Sequence, residues 1–184
     1  MGLLLPGTTI EVNSLDHGSA ENVLGNIFSA GGIVLSQMSI LTGLEAHTVQ
    51  NWVKRGFLSP PLHRQYSRGQ FSRVVMINLL KDCMRIDQIV QLLTYVNGKM
   101  DREDDDSVED SRLYSLFVDA LARLRGGFPT REAVKEACTK VLENFEEKVA
   151  QSRERIRTVL MIMVYAWYST LAKQQAEILM RDIM

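Results

Sequence analysis

Cysteine is scarce in this chain of 184 residues: only Cys83 and Cys138 occur, far apart and outside any CxxC pair. This scarcity excludes a disulfide framework and a zinc-binding cysteine pattern, and it suits a reducing compartment. The sequence also lacks a glycine-rich nucleotide loop, the motifs HExxH and GxSxG, and a paired His–carboxylate motif. We therefore predict a protein that is not an enzyme and that has neither a metal nor a cofactor.

Long hydrophobic runs are missing as well. The longest apolar stretch, residues 159–168, is about half of the ~20 residues that a membrane-spanning helix needs. The N-terminus has three leucines but no basic residue, so it lacks the pattern of a signal peptide. Pro6 stands where a myristoylation motif has Ser or Thr. These features predict a cytoplasmic protein without a membrane partner.

Net charge is close to balanced, at −1, but its distribution along the chain is uneven. Residues 1–32 carry three acids and no Lys or Arg, residues 33–98 carry seven bases and three acids, and residues 99–184 carry fourteen bases and sixteen acids. This pattern predicts three parts: an N-terminal segment with a short helix, a basic domain over 33–98, and an acidic linker followed by a helical region. A nucleic-acid function would depend on the local charge of the middle part.

Apolar residues recur with a spacing close to 3.6, which predicts an all-α fold. Residues 1–18 are expected to be irregular. The predicted helices span residues 19–28, 36–42, 46–55, 67–84, 87–96 and 107–125. Beyond residue 130 the chain has neither Gly nor Pro, and its apolar stripe predicts either two more helices or a single long one.

The two short helices over 36–42 and 46–55 are separated by a turn that contains Gly43, which is the spacing of a helix-turn-helix. Seven apolar residues would form its core: Leu35, Met38, Leu41, Leu44, Val49, Trp52 and Leu58. The second helix keeps hydrogen-bonding and cationic side chains for its outer face: His47, Thr48, Gln50, Asn51, Lys54 and Arg55. Gln and Asn can pair with adenine edges, while Thr, Lys and Arg can hold phosphates.

Four segments carry a resemblance to known proteins: LSQMSILTGL at 35–44, TVQNWVKRGFL at 48–58, Pro60-Pro61 followed by RQYS at 64–67, and IDQIVQLL at 86–93. Together they resemble the winged helix-turn-helix of MerR-type transcription regulators over residues 35–93. The Pro-Pro and RQYS arrangement is also similar to the uncharacterised bacterial domain-of-unknown-function family 1836, which has a MerR-like N-terminal half.

The MerR-type resemblance implies a sequence-specific regulator that binds double-stranded DNA with helix 46–55 in the major groove. From the hydrogen-bonding chemistry of their side chains, we expect His47, Gln50 and Asn51 to face base edges. Backbone contacts would come from Thr48, Lys54, Arg55, Arg64 and Arg68. A short two-stranded wing is expected near residues 60–66, and a homodimer is expected through the C-terminal helices.

The sequence departs from that family in ways that leave alternatives open. Gln50 and Asn51 replace an Arg and an aromatic residue, the wing is short, and the region after Gly98 matches no ligand-sensing part, so no effector site carries over. One alternative is a protein-interaction module that kept the helix-turn-helix shape without DNA binding. A small-molecule-binding helical enzyme is a third reading, although the sequence shows no polar pocket of buried ionisable groups.

Two further sets of residues have more than one interpretation. Both cysteines lie in apolar segments, which predicts inert core residues rather than redox sensors. The C-terminal region contains an aromatic and methionine cluster that would form a dimer interface, plain core or a ligand pocket. Its members are Met161, Met163, Tyr165, Trp167, Tyr168 and Met180.

Overall fold

The computed structural model describes residues 3–97, 108–124, 126–147 and 149–183. Its elements in chain order are β1 (Leu3–Leu4), β2 (Glu11–Val12), α1 (Ser19–Ile27), α2 (Leu35–Thr42), α3 (Ala46–Lys54), α4 (Arg68–Leu80), α5 (Ile86–Asn97), α6 (Asp110–Arg123), α7 (Arg131–Lys140) and α8 (Ser152–Asp182). The prediction of an all-α protein is confirmed, because the one regular sheet among the described residues is the two-stranded pair of β1 and β2.

The described part of the N-terminal segment, residues 3–18, is mostly irregular as predicted, but it contains two short strands that the sequence did not predict. β1 and β2 pair antiparallel, with Leu3 opposite Val12, and strands of two residues are too short to show a periodic pattern. The hairpin packs on α4 and α6. A Cβ at Gly7 would lie 2.8 Å from the carbonyl oxygen of Val75, and the Tyr114 hydroxyl donates a 2.7 Å hydrogen bond to the carbonyl of Pro6.

Helix α4 lies at the centre of the protein. Ser67 caps it reciprocally with Gln70, since the Gln70 N–H donates to Ser67 Oγ at 3.2 Å and the Ser67 N–H donates to Gln70 Oε1 at 2.8 Å. Every residue from 71 to 77 is buried, which is typical of a helix surrounded by others. The helix ends at Leu80, four residues before the predicted end, and its neighbours are α2, α5, α6 and α8.

Helix α6 is the second buried helix, and an ion pair joins its start to α4. Arg73 NH1 lies 2.9 Å from Asp110 Oδ2, and the Asn97 amide at the end of α5 donates to the same carboxylate. Burial raises the pKa of Asp110, an effect that the adjacent Arg73 guanidinium partly opposes. The predicted acidic linker over 100–110 falls largely on residues 98–107, which lie outside the described residues.

The C-terminal region forms two helices rather than one. Thr130 caps α7 by accepting a 3.2 Å hydrogen bond from the Ala133 N–H, and Pro129 precedes the cap. Helix α8 contributes buried residues to the core as far as Ala166. From Ala172 to Arg181 every residue is exposed, so the end of α8 extends beyond the core.

The described cysteines differ from each other. Cys83 is exposed in the turn after α4, contrary to the prediction of a core residue, because α4 ends before it. Cys138 is buried as predicted, and burial raises the pKa of its thiol to about 12. None of the described helices combines the length and apolar character needed to cross a membrane.

Candidate nucleic-acid interface

Helices α2 and α3 are joined by a turn of three residues, 43–45. Gly43 ends α2 in the left-handed conformation, with φ of +70°, and its N–H donates to the Ser39 carbonyl at 2.8 Å. This is the glycine C-cap expected from the sequence. Of the seven predicted core residues, five are buried and Leu35 and Leu41 are half-buried against the core. The predicted local packing is therefore confirmed.

One face of α3 is polar and open to solvent. His47, Gln50, Asn51 and Lys54 are all exposed, and their spacing of three, four and seven residues places them on one side of a helix. We call these four residues the α3 stripe. Helix α8 does not cover the stripe, since all four stripe residues are exposed in the part of the chain that the structure describes.

Two further predicted contacts flank the α3 stripe. Arg55 follows α3 and is exposed, with its guanidinium carbon 4.7 Å from the centre of the Phe57 ring. A cation held over an aromatic face in this way is partly positioned before it binds anything. Thr48 is half-buried beside the stripe. Within the described part of the chain, neither Lys54 nor Arg55 forms an ion pair.

The predicted wing is a single tight turn instead of a two-stranded sheet. Leu62 and Gln65 form an isolated antiparallel bridge, and the Gln65 N–H donates to the Leu62 carbonyl at 2.8 Å. The two residues between them, His63 and Arg64, have φ of 48° and 66°, as in a type I′ turn. The preceding prolines lack N–H donors and cannot extend the ladder. We call residues 59–66 the short hairpin.

The base of the short hairpin is firmly attached. Tyr66 and Ile33 exchange two backbone hydrogen bonds, of 3.0 Å and 2.7 Å. The Gln70 side-chain amide lies 2.9 Å from the Ser59 carbonyl and 3.0 Å from the Pro60 carbonyl. A Cβ at Gly32 would lie 2.9 Å from the Tyr66 carbonyl oxygen, so glycine is needed where the two segments meet.

A groove of about 540 Å³ separates the α3 stripe from the short hairpin. Gln50 of the stripe and Arg64 of the turn both line it, and Ser36 at the start of α2 adds a hydroxyl. The remaining walls are apolar: Val34, Leu35, Val53, Pro61 and Tyr66. The structure thus brings predicted residues from α3 and from the turn to one surface.

Arg68 is the predicted DNA contact that this surface does not include. It is half-buried, and its guanidinium forms an ion pair with Glu21 of α1. The hydrogen bond from Arg68 is the main reason that the pKa of Glu21 lies below its ordinary value. The role of Arg68 as a phosphate contact remains a prediction, and this ion pair competes with it.

The sequence reading did not single out three features of this surface. Leu62 is 75% exposed at the hairpin, Glu45 is an exposed acid at the N-cap of α3, and Ser36 lines the groove. The sequence could have indicated that Glu45 is exposed near α3, because Glu45 directly precedes the predicted helix 46–55. The groove depends on the pairing of Ile33 with Tyr66, and no local pattern in the sequence indicates that pairing. In the part of the chain that is described, no cluster of His, Cys, Asp and Glu is arranged to hold a metal.

Comparison with known proteins matches part of the chain to a protein family. Residues 32–117 match the family described as Domain of unknown function (DUF1836). The match includes all of α2 to α5 and ends within α6. This part of the chain is therefore similar to that family, as the sequence predicted, whereas the MerR-type resemblance stays a prediction. No curated protein and no solved structure matches the chain.

Proposed function

We propose that the protein is a sequence-specific regulator of transcription that binds double-stranded DNA with α3 in the major groove. The observation that carries the proposal is the α3 stripe: four polar side chains on one face of a short helix, open to solvent and uncovered by the rest of the chain. An α-helix fits the major groove, where each base pair presents a distinct set of donors and acceptors.

The side chains of the α3 stripe carry hydrogen-bond donors and acceptors that suit contacts with base edges. Gln50 and Asn51 carry amides that can pair with the N6 and N7 atoms of adenine, and His47 can donate or accept at a base edge. Lys54 and Arg55 lie at the C-terminal end of α3, where cations can hold phosphates and also suit the helix dipole. The proposal therefore assigns base contacts to the start and middle of α3.

The groove supports the same orientation on the duplex. When a helix enters the major groove and a neighbouring hairpin reaches the minor groove, the intervening sugar–phosphate strand passes between them. The groove lined by Ser36, Gln50 and Arg64 lies between these two elements. Ser36 and Arg64 supply polar groups that suit a phosphate, and the apolar walls of the groove suit deoxyribose. Arg64 thus becomes a backbone contact, as the MerR-type resemblance implied.

We propose further that the protein acts as a homodimer through α8. A single module of this size buries little DNA surface, so useful affinity favours two copies on half-sites about one helical turn apart. The exposed end of α8 presents apolar side chains, with Leu179 66% and Ile183 80% exposed. Leu179 belongs to the last turns of α8 and Ile183 follows the helix directly, so both lie at the end of the chain region that a second copy can cover.

A protein-interaction module without DNA binding is the second candidate function. It is favoured by Ile40, an apolar residue of α2 that is 73% exposed, and by the modest excess of four positive charges in residues 33–98. This candidate predicts no salt-dependent DNA binding at micromolar protein and co-purification with a protein partner.

The test is selection from random-sequence duplex DNA at low salt, followed by titration of the selected site at several salt concentrations. The double variant Lys54→Ala/Arg55→Ala should weaken binding to every sequence. Its slope of log affinity against log salt should decrease by roughly 0.9 for each phosphate contact that is lost.

The double variant Arg131→Ala/Lys135→Ala is the matched control. It removes the same charge from exposed positions of α7 and should bind like the parent. Equal affinity and equal salt slope for the α3 variant and the parent would contradict the proposed docking. Failure of the parent to bind any duplex would reject the proposed function itself.

A further inference from the structure

Tyr66 is an almost completely buried phenol beside an open groove. Only 3% of the residue is exposed, and it lines the groove between the α3 stripe and the short hairpin. Its backbone pairs with Ile33 in both directions, but its hydroxyl has no hydrogen-bond partner among the described residues. Buried tyrosine hydroxyls ordinarily find a partner. This hydroxyl is therefore a donor that the fold itself does not use.

Arg64 brings a positive charge to the same groove. Of the described residues that line the groove, Arg64 alone is charged, and it forms no ion pair within the described ranges. The turn that carries it is strained, because His63 and Arg64 adopt φ of 48° and 66° where a type I′ turn ordinarily has Asn and Gly. Strain of this kind persists where the surrounding structure enforces it, and it is frequent at binding sites.

The short hairpin is held at both ends. The Gln70 amide lies 2.9 Å from the Ser59 carbonyl and 3.0 Å from the Pro60 carbonyl, and Tyr66 is bonded to Ile33. The backbone that carries Arg64 and Tyr66 is thus ordered before any ligand arrives. Such preorganisation lowers the entropic cost of binding.

The rest of the groove is mostly apolar. Four residues form apolar walls: Val34, Leu35, Val53 and Pro61. Ser36 and Gln50 add uncharged polar groups. The volume of about 540 Å³ lies within the range of roughly 300–1,000 Å³ that is typical of small-molecule sites, which combine apolar walls with a few polar groups that fix the orientation of the ligand.

The charge of the groove favours one class of ligand. A single guanidinium balances the single negative charge of a carboxylate, whereas a phosphate monoester carries roughly 1.5–2 negative charges at neutral pH. The guanidinium of Arg64 can donate two parallel hydrogen bonds to a carboxylate. Burial raises the pKa of Tyr66, so its phenol keeps the proton and can donate one more.

We propose that the groove binds a small apolar carboxylate, such as an aryl-substituted acetic acid, and that this ligand competes with DNA. The carboxylate accepts hydrogen bonds from Arg64 and Tyr66, and the apolar part of the ligand lies against the apolar walls. The competition rests on the proposed function, because a docked duplex would place its sugar–phosphate strand in the same groove. Binding of the carboxylate itself does not depend on that function.

Isothermal titration calorimetry of the full chain without DNA tests the site, with 2-naphthylacetate as the probe. The parent should bind it with a dissociation constant of about 1 mM or lower. The uncharged 2-naphthylacetamide should bind at least about tenfold more weakly, and Arg64→Gln and Tyr66→Phe should each weaken binding of the acid to a similar extent. Thermal unfolding of Tyr66→Phe should match that of the parent, because the hydroxyl has no partner in the described part of the fold.

His63→Gln is the matched control. It changes the other residue of the same turn, which has positive φ as well but is not among the residues that line the groove. It should bind the probe like the parent. The carboxylate site would be overturned by a parent that does not bind the acid, by equal binding of the acid and the amide, by variants that bind like the parent, or by inorganic phosphate that binds as tightly as the acid.

A second titration measures binding of the selected duplex with the probe present at about ten times its dissociation constant. The DNA affinity of the parent should fall roughly tenfold, and that of Arg64→Gln should fall only about twofold further, because this variant holds the probe more weakly. Unchanged DNA affinity of the parent would overturn the competition. A parent that binds no duplex would reject the proposed function, whereas calorimetry would still decide on the carboxylate site.

Discussion

Helices α3 and α4 lie close together in the chain but use their polar side chains in opposite ways. In α4, Gln70 bonds to the short hairpin, Arg73 pairs with Asp110, and Asn78 donates to the carbonyls of Gly7 and Thr42. In α3, the side chains of the α3 stripe make no hydrogen bond or ion pair within the described part of the chain. Polar groups that find partners inside the protein stabilise the fold, whereas exposed groups without partners are available to bind something else.

The same contrast applies to the two arginines of α4. Arg73 is buried and paired with Asp110, so its charge stabilises the place where α4, α5 and α6 meet. Arg68 lies at the exposed end of the helix and pairs with Glu21 of α1. Charge alone therefore does not identify a nucleic-acid contact. Basic residues of this region that are buried or that have an internal partner stabilise the fold. Exposed basic residues without such a partner are available to bind DNA.

Removal of the buried arginine should have the largest effect on stability. Arg73→Ala leaves the Asp110 carboxyl buried without its counter-charge, which destabilises proteins by about 3–5 kcal/mol. Urea denaturation followed by circular dichroism measures the change. The double variant Arg73→Met/Asp110→Leu is the control, since it removes both charges and keeps an apolar volume. If the single variant were as stable as the double variant, the ion pair would have no structural importance.

Truncation of a side chain in the α3 stripe should weaken DNA binding without lowering the stability of the fold. Gln50→Ala is expected to weaken binding to the selected site by about 1–3 kcal/mol if Gln50 pairs with a base. The free energy of unfolding should change by less than about 0.5 kcal/mol, because the side chain is exposed. Gln91→Ala on the exposed face of α5 serves as the control and should change neither quantity. Equal binding by the two variants would place Gln50 outside the interface.

Local signals in the sequence predicted most of the helices. Gly43 and Ser67 act within one turn of their helices, so the end of α2 and the start of α4 follow from them. The predicted core of α2 and α3 is confirmed for the same reason, since its apolar residues repeat with the helical period. The helical nature of the fold was therefore accessible without any information on distant contacts.

Features that depend on distant residues could not be predicted. The pairing of Arg68 with Glu21 joins residues that no helical spacing connects, and the β1–β2 pair has strands too short for a pattern. The turn at His63 and Arg64 lacks the Asn or Gly that would have indicated positive φ. The groove depends on the pairing of Ile33 with Tyr66, which also joins distant residues, so the sequence predicted the stripe and Arg64 but not the groove between them.

Neutralisation of an acid beside the stripe should strengthen binding moderately. Glu45 is exposed at the N-cap of α3, where its charge would repel the phosphates of a duplex docked as we propose. Glu45→Gln should raise DNA affinity by roughly 0.2–1 kcal/mol, the range for exposed charges, and the gain should shrink as salt increases. Glu132→Gln, in the first turn of α7, is the control and should have no effect. Weaker binding by Glu45→Gln would mean that the start of α3 faces away from the DNA.

The ion pair between Arg68 and Glu21 should give the smallest effect, and it depends on pH. The pKa of Glu21 is lowered in the folded protein, so its contribution to stability is present at neutral pH and is lost as the pH falls below the ordinary value of 4.5. Because both side chains of the pair are partly exposed, Glu21→Gln should cost at most about 1 kcal/mol at pH 7. Thermal unfolding at pH 7 and pH 3 measures this difference, which should be smaller at the lower pH. An equal loss at both pH values would show that Glu21 contributes packing and not charge, and Arg68 would then be available to DNA together with Lys54 and Arg55.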